Sequence, residues 1–200
     1  MESRLFVISY KSSRMQKWKR LRSETVYDSA FFRVKKDLVE LPNGARKEWT
    51  YWDSRDSAMI ICMTENRQLV MIRQYRYMVD DDVIEFPAGF NEKDETFERS
   101  AEREFEEETG YSCDQLREIG AFYETFGQLN RRIHKFFAKR IEPAKQMTDR
   151  DTDDYENIET VLVDWDDALE LVRENKIVSM GSSLAILLLR EKLQSGEIVF

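Results

Sequence analysis

Residues 89–111 read Gly89-Phe90-Asn91-Glu92-Lys93-Asp94-Glu95-Thr96-Phe97-Glu98-Arg99-Ser100-Ala101-Glu102-Arg103-Glu104-Phe105-Glu106-Glu107-Glu108-Thr109-Gly110-Tyr111. The spacing is G-x5-E-x7-R-E-U-x-E-E-x-G-U, where U is a bulky apolar residue. At about 100° per residue, Phe97, Ala101 and Phe105 form a narrow apolar stripe at i, i+4 and i+8. With Phe97 at zero, Glu104, Glu107 and Glu108 fall at about 340°, 280° and 20°, along the edge of that stripe. Glu98, Glu102 and Glu106 fall on the other flank, at about 100–180°. Arg99 and Arg103 reach this second ridge through i, i+3 spacing, which makes it a solvated face. Glu104 and Glu108 have no Lys or Arg three or four residues away, and each has the other at i±4. Like charges so spaced destabilise a helix, and charge near a buried boundary costs more. A hard divalent cation, Mg²⁺ or Mn²⁺, resolves the conflict because it prefers carboxylate oxygen. Gly110 stands at the C′ position that stops a helix.

Glu-rich helices are common as solvated faces. Here nine constrained positions agree at once, including a glycine before the helix and one after it. On these residues the chain resembles the Nudix hydrolase family, whose defining box has this pattern. Phe105 and Tyr111 are aromatic where that family more often has aliphatics. The resemblance implies an α/β fold: a Nudix α/β/α sandwich with a mixed sheet and an N-terminal β-hairpin extension. It implies hydrolysis of the pyrophosphate in a nucleoside diphosphate linked to another moiety, with Mg²⁺ as cofactor and Mn²⁺ as a possible substitute. A polyanionic pyrophosphate approaches an acidic site only through intervening cations, which neutralise developing charge and activate a water.

The implied roles follow residue by residue. Glu104 and Glu108 are the main metal ligands, Glu107 is a third ligand or their supporting partner, and the Ala88 carbonyl completes the site. Glu107 and Glu108 are thereby expected to be catalytic as well. Arg103 pairs with Glu107 at i+4 and positions the loop bearing Glu95, so both have orienting roles. In the members acting on ADP-ribose and sugar nucleotides the general base often comes from an acidic loop outside the box. Here that segment is Asp151–Asn157, with Asp154 and Glu156 as candidates; the alternative is a solvated loop of turn formers. His134, the single histidine, lies in a strand-like run and reads as structural.

Substrate class needs residues outside the box. Arg73-Gln74-Tyr75-Arg76, followed by Glu85-Phe86-Pro87-Ala88-Gly89, resembles the ADP-ribose pyrophosphatase and nucleoside-diphosphate-sugar branch. That branch carries an N-terminal hairpin extension like residues 21–53, often exchanged between the subunits of a homodimer. The expected division is therefore 1–53, serving dimerisation and the nucleotide pocket, and 54–200, the hydrolase domain. Arg76 suits a bidentate phosphate contact. Arg46 and Glu48 are candidates for the base, and Phe31 or Phe32 for stacking on it, with core packing as the alternative for the aromatics. Glu124-Thr125-Phe126-Gly127 replaces the Ser-Pro-Gly stretch typical of ADP-ribose enzymes, which leaves ADP- and GDP-sugars open as substrates. Two other readings stand beside this one: a nucleoside triphosphate or RNA-cap pyrophosphohydrolase, and a non-catalytic ligand sensor. The intact carboxylates argue against the sensor.

Composition is compatible with an enzyme. Two hundred residues with 42% hydrophobic and 12% aromatic content supply a core for one domain, or for one domain with an extension. A net charge of −8 argues against nucleic-acid affinity, since phosphate backbones demand basic surfaces. Cys62 and Cys113 give no disulfide framework or zinc pattern. No segment approaches the ~20 apolar residues of a membrane span, and no signal-like stretch opens the chain, so a cytoplasmic protein without membrane association is expected. Strand-like runs are Val26–Glu40, Lys47–Asp53, Ala58–Met63, Gln68–Tyr75, Val83–Phe86, Leu116–Phe126, Arg132–Ile141 and Thr160–Asp164. Helices are expected over Glu95–Thr109, Asp166–Asn175 and Ser182–Gln194.

Overall fold

The computed structural model describes residues 15–30, 32–143 and 158–199, the Arg140 side chain excepted. The chain forms two compact units, one up to Asp53 and one from Ser54 onward.

The first unit contains β1 (Lys19–Asp28), β2 (Arg33–Glu40) and β3 (Arg46–Asp53), paired antiparallel in the order β1-β2-β3. The sequence pattern suggested a two-stranded hairpin; the structure adds β1 and starts β2 later than expected. Its sequence, Lys-Arg-Leu-Arg-Ser-Glu-Thr-Val-Tyr-Asp, shows little alternation because neither of its faces is buried. Cross-strand charge pairing does part of the work instead: Lys36 Nζ lies 2.9 Å from Glu24 Oε1, its register partner. The Leu41-Pro42-Asn43-Gly44 turn forms as expected, closed by Gly44 N–H donating to the Leu41 carbonyl at 2.9 Å. Within these three strands only Asp37 is buried. The aromatics lie on the surface: Tyr27, Phe32 and Trp52 stand in series, with centroids 5.4 and 5.7 Å apart.

The second unit is built on a mixed seven-stranded sheet. Its path is β12 (Ile158–Asp164), β5 (Gln68–Arg76), β4 (Ser57–Met63), β10 (Arg132–Ala138) and β9 (Arg117–Tyr123). Two further strands join it, β6 (Asp81–Glu85) against β5 and β7 (Ala88–Phe90) against β4. The β4–β10 pair is parallel and the other pairs are antiparallel. A separate antiparallel pair joins β8 (Tyr111–Asp114) to β11 (Arg140–Pro143). The continuous apolar run of β4 serves both faces, because its side chains alternate. Ala58, Ile60 and Cys62 pack with Ala101 and Phe105 of α1 (Phe97–Thr109). Met59, Ile61 and Met63 pack with Trp165, Ala168 and Leu169 of α2 (Trp165–Arg173) and Ile186 and Leu189 of α3 (Met180–Gln194). This is an α/β/α sandwich on a mixed sheet, the fold class expected from the sequence.

Strands β7 and β8 escape the sequence pattern because three or four residues are too few to display alternation, and the expected run Arg132–Ile141 breaks at Lys139 into β10 and β11. Cys62 and Cys113 are free thiols. A hydrogen bond with Cys113, together with burial, pushes the Cys62 thiol far above its ordinary range. Among the described residues no helix is long and apolar enough to cross a membrane.

Candidate active site

Helix α1 is set by its ends. The Thr96 hydroxyl accepts from Arg99 N–H, capping the first turn. Gly110 adopts φ 75° and returns its N–H to the Glu106 carbonyl, as a left-handed C-cap does. Between these ends Ala101 and Phe105 are fully buried against the sheet, so the stripe on the sequence is the packed face.

Two carboxylates of this helix converge on one piece of backbone. Glu108 Oε2 accepts from the Ala88 N–H at 3.2 Å. The Glu104 carboxylate fits against Gly89 so closely that a Cβ on residue 89 would overlap it. Gly89 faces α1 because its register partner is Ala58, while Ala88 pairs with Met59 and packs toward the α2–α3 side. The glycine of the box thus makes room for Glu104, the second carboxylate of the box. Glu107 lies outermost, its side chain 47% exposed against 15% for Glu104.

Arg103 ties the site together. Its guanidinium meets Glu107 Oε2 at 2.9 Å, Glu104 Oε1 at 2.9 Å, Glu95 Oε1 at 3.3 Å and the Phe90 carbonyl at 3.1 Å. The Glu107 contact is the i+4 pair expected from the sequence, and the Glu95 contact reaches the loop before the helix. The Glu104 contact corrects the sequence reading in two respects. Glu104 is not left without a basic neighbour, and Arg103 turns toward this ridge instead of steadying Glu106. Arg99 does hold the solvated flank, through Glu102 at 3.1 Å. Burial alone would lower the Arg103 pKa, but Glu95, Glu104 and Glu107 together raise it above its ordinary value. Burial would likewise raise the Glu95 pKa, yet Ser100 and Arg103 hold it below the usual carboxylate range. Ser100 Oγ is fully buried, 2.7 Å from Glu95 Oε2 and 2.8 Å from Asn91 Oδ1, which locks the loop before the helix.

The other candidates are placed as follows. Arg76 sits at the exposed end of β5, with Glu85 of β6 at 2.7 Å. In the first unit Arg46 lies 3.8 Å from Glu40, and Glu48 lies 3.6 Å from Lys36. Phe31, Asp154 and Glu156 lie outside the described residues. His134 stacks on Phe97 with centroids 3.6 Å apart, and its Nδ1 lies 2.9 Å from Glu118, a packing role.

A second group was not found from sequence. Lys135 is buried in β10, its Nζ donating to the Gly181 carbonyl at 2.9 Å and to Met59 Sδ at 3.3 Å. Close by, Glu124 accepts from Arg131 at 2.6 Å, and the Arg131 guanidinium lies 5.5 Å from the centre of the Phe90 ring. The available signal was a lysine at the inward parity of an apolar strand, between Ile133 and Phe137.

Chemically, Glu104 and Glu108 are hard oxygen donors that meet the backbone of β7 at Ala88 and Gly89. Among the described residues no three acidic, histidine or cysteine side chains gather tightly enough to hold an ion by themselves. A hard divalent cation that keeps water and phosphate oxygens in its shell asks for no more than one or two carboxylates, and the donor set is compatible with such an ion.

Comparison with known proteins places the chain in a family. The family described as NUDIX domain matches residues 53–180, and the nucleoside diphosphate sugar hydrolase N-terminal domain matches residues 18–52. The chain is 30% identical to an ADP-ribose pyrophosphatase of Bacillus subtilis, over 88% of this chain and 96% of that one. It is 29% identical to a methanol dehydrogenase activator of Bacillus methanolicus, over 84% and 90%. It is 26% identical to a GDP-mannose pyrophosphatase of Escherichia coli K12 / DH10B, over 75% and 74%. The crystal structure of an ADP compounds hydrolase superposes with a TM-score of 0.81 at 23% identity, covering 94% of this chain and all of the other, a likeness of fold.

Proposed function

The chain belongs to the NUDIX family, and from that premise we propose that it is a metal-dependent pyrophosphohydrolase. It cleaves the pyrophosphate of a nucleoside diphosphate linked to another moiety, giving a nucleoside monophosphate and the phosphorylated moiety. The observation that carries this is the convergence of the Glu104 and Glu108 carboxylates on the Ala88–Gly89 backbone. Glu104, Glu108 and the Ala88 carbonyl would hold Mg²⁺, with Mn²⁺ as a substitute and Glu107 as the outer ligand. The cation supplies charge neutralisation at the phosphates and a more acidic water. Arg103 keeps Glu104 and Glu107 oriented, and Glu95 fixes Arg103 from the loop side. Arg76, at the exposed end of β5, supplies a guanidinium for phosphate. Asp154 and Glu156 remain the candidates for the general base.

ADP-ribose and nucleoside diphosphate sugars are the proposed substrates. Support comes from the activities named for the Bacillus and Escherichia relatives and from the match to a sugar-hydrolase N-terminal domain. The first unit is proposed to mediate a homodimer, with Arg46, Glu48 and Phe31 as nucleotide-binding residues. Its support is a three-stranded sheet with exposed aromatics and one buried residue. Such a sheet is marginal without a partner surface.

A hydrolysis screen with Mg²⁺ tests the reading, using ADP-ribose, ADP- and GDP-sugars, dinucleoside polyphosphates and nucleoside triphosphates. Release of a nucleoside monophosphate from ADP-ribose or a sugar nucleotide is expected, with Glu108→Gln slower by about 10²-fold or more. Turnover of triphosphates alone would reject the substrate class. Wild-type rates in Glu108→Gln at saturating Mg²⁺ would reject the metal assignment.

A further inference from the structure

We propose that Lys135 is a positioning residue which, with Glu124 and Arg131, holds the Phe86–Phe90 segment, which ends in β7, from the side of the sheet opposite α1. Only the kinetic arm of this inference rests on the pyrophosphohydrolase reading.

Lys135 is 1% exposed in a layer otherwise made of Ile133, Phe137, Met59 and the apolar face of α3. Burial pushes its pKa down to about 8, although Glu124 pulls the other way. A methionine or leucine would fill this volume without the desolvation cost, so packing alone does not explain a lysine here. Its contacts do.

Two routes lead from its ammonium to this segment. The first runs through α3. Lys135 Nζ holds the Gly181 carbonyl in the first turn of that helix, and the next residue, Ser182, accepts from the Phe86 N–H at 3.0 Å. Ser182 is fully buried, so this link between helix and segment is shielded from water. Met59 adds to this route: its sulfur accepts from Lys135, and its backbone is in register with Ala88. The second route runs through charge. Glu124 faces Lys135 and accepts from Arg131 at 2.6 Å. The Arg131 guanidinium stands over Phe90, whose carbonyl accepts from Arg103 at 3.1 Å. Arg103 then holds Glu104. Strand β7, which carries Ala88 and Gly89, is thus gripped by α1 on one face and by the Lys135 cluster on the other.

Gly181 marks how tightly the groups meet. A Cβ there would lie 3.2 Å from Met59 Cε, 3.6 Å from Lys135 Nζ and 3.7 Å from Glu124 Oε1. The lysine, the carboxylate and the thioether all close around one backbone position.

The test uses the full chain with Lys135→Met, Glu124→Gln and the double variant. Amide hydrogen exchange is followed across residues 86–90, beside kcat and KM for ADP-ribose with Mg²⁺. Lys135→Met is expected to be at least as stable as the wild type at pH 7, because a buried charge has gone. Exchange at residues 86–90 should nevertheless rise about fivefold or more. The kcat should fall about tenfold with KM nearly unchanged, the signature of lost alignment. The double variant should be no worse than Lys135→Met alone, since both act in one network. Glu124→Gln keeps the volume and carries the test if Lys135→Met does not fold. Wild-type exchange at residues 86–90 in the folded variants would overturn the proposal, as would losses that multiply. Absence of turnover in the wild type would count against the pyrophosphohydrolase reading, while the exchange measurement would still decide the role of Lys135.

Discussion

At the residue scale, the two glycines of the box serve unlike purposes. Gly110 is needed for its backbone, which lies at φ 75° in the left-handed region. Gly89 is needed for its empty volume, which the Glu104 carboxylate occupies. Their alanine variants should therefore fail differently. Gly110→Ala should lower stability by about 1 kcal/mol and leave activity nearly intact. Gly89→Ala should fold, because the obstructing atoms are the far end of a flexible side chain. It should lose about 10²-fold in kcat/KM, because Glu104 is displaced from its place in the site. Circular dichroism melts and steady-state kinetics on both variants check the contrast; a fully active Gly89→Ala would remove Glu104 from the proposed site. The contact between Glu104 and Arg103 belongs to this scale as well. Spacing rules consider partners three and four residues away, but a long guanidinium reaches its immediate neighbour once Glu95 and Phe90 have drawn it to that side.

At the element scale, α1 and α3 have opposite relations to the sequence. The boundaries, capping and packed stripe of α1 are local properties, and they appear within a residue or two of where the pattern puts them. In α3 the Gly181 carbonyl accepts from Lys135, a buried amine of a distant strand, and that burial has a pH signature. The Lys135 pKa falls from 10.5 to about 8 on folding, worth about 3 kcal/mol against the folded state when the amine is charged. Between about pH 8 and 10.5 the unfolded chain binds the proton that the folded chain has released, so this penalty is relieved as pH rises. Glu124 is the carboxylate facing the amine, and it opposes the shift. The stability advantage of Lys135→Met over the wild type should be largest near pH 7 and shrink toward pH 10. Denaturant unfolding at pH 7, 8.5 and 10 measures it; an advantage independent of pH would mean that the ammonium is not desolvated.

At the scale of the molecule, the two units differ in what holds them. The second unit contains both apolar clusters, with residues from Ala58 to Ile198. The first has aromatic surface and one buried carboxylate residue, with no cluster of its own among the described residues. Tyr27, Phe32 and Trp52 are each 45–55% exposed, enough apolar surface to expect a protein partner. Deleting residues 1–53 should leave a folded second unit that sediments as a monomer and binds nucleotide poorly, whereas the full chain sediments as a dimer. A truncated protein that is still dimeric, or a fully active monomer, would sink the proposed role of the N-terminal strands.

The sequence by itself determined the box helix with its packed stripe and, through the resemblance that the box carries, the α/β/α class and the family's reaction. Helix and stripe rest on short-range spacing, and a linear chain displays such order directly. The tertiary structure alone decided that Gly89 makes room for Glu104, that β1 joins the N-terminal sheet, and that Lys135 sits on the face of the sheet behind β7. Those features join residues far apart in the chain: Gly89 with Glu104, Glu24 with Lys36, and Met59, Glu124 and Lys135 with Gly181. No periodicity carries such contacts, because they exist only once separate strands and helices have packed.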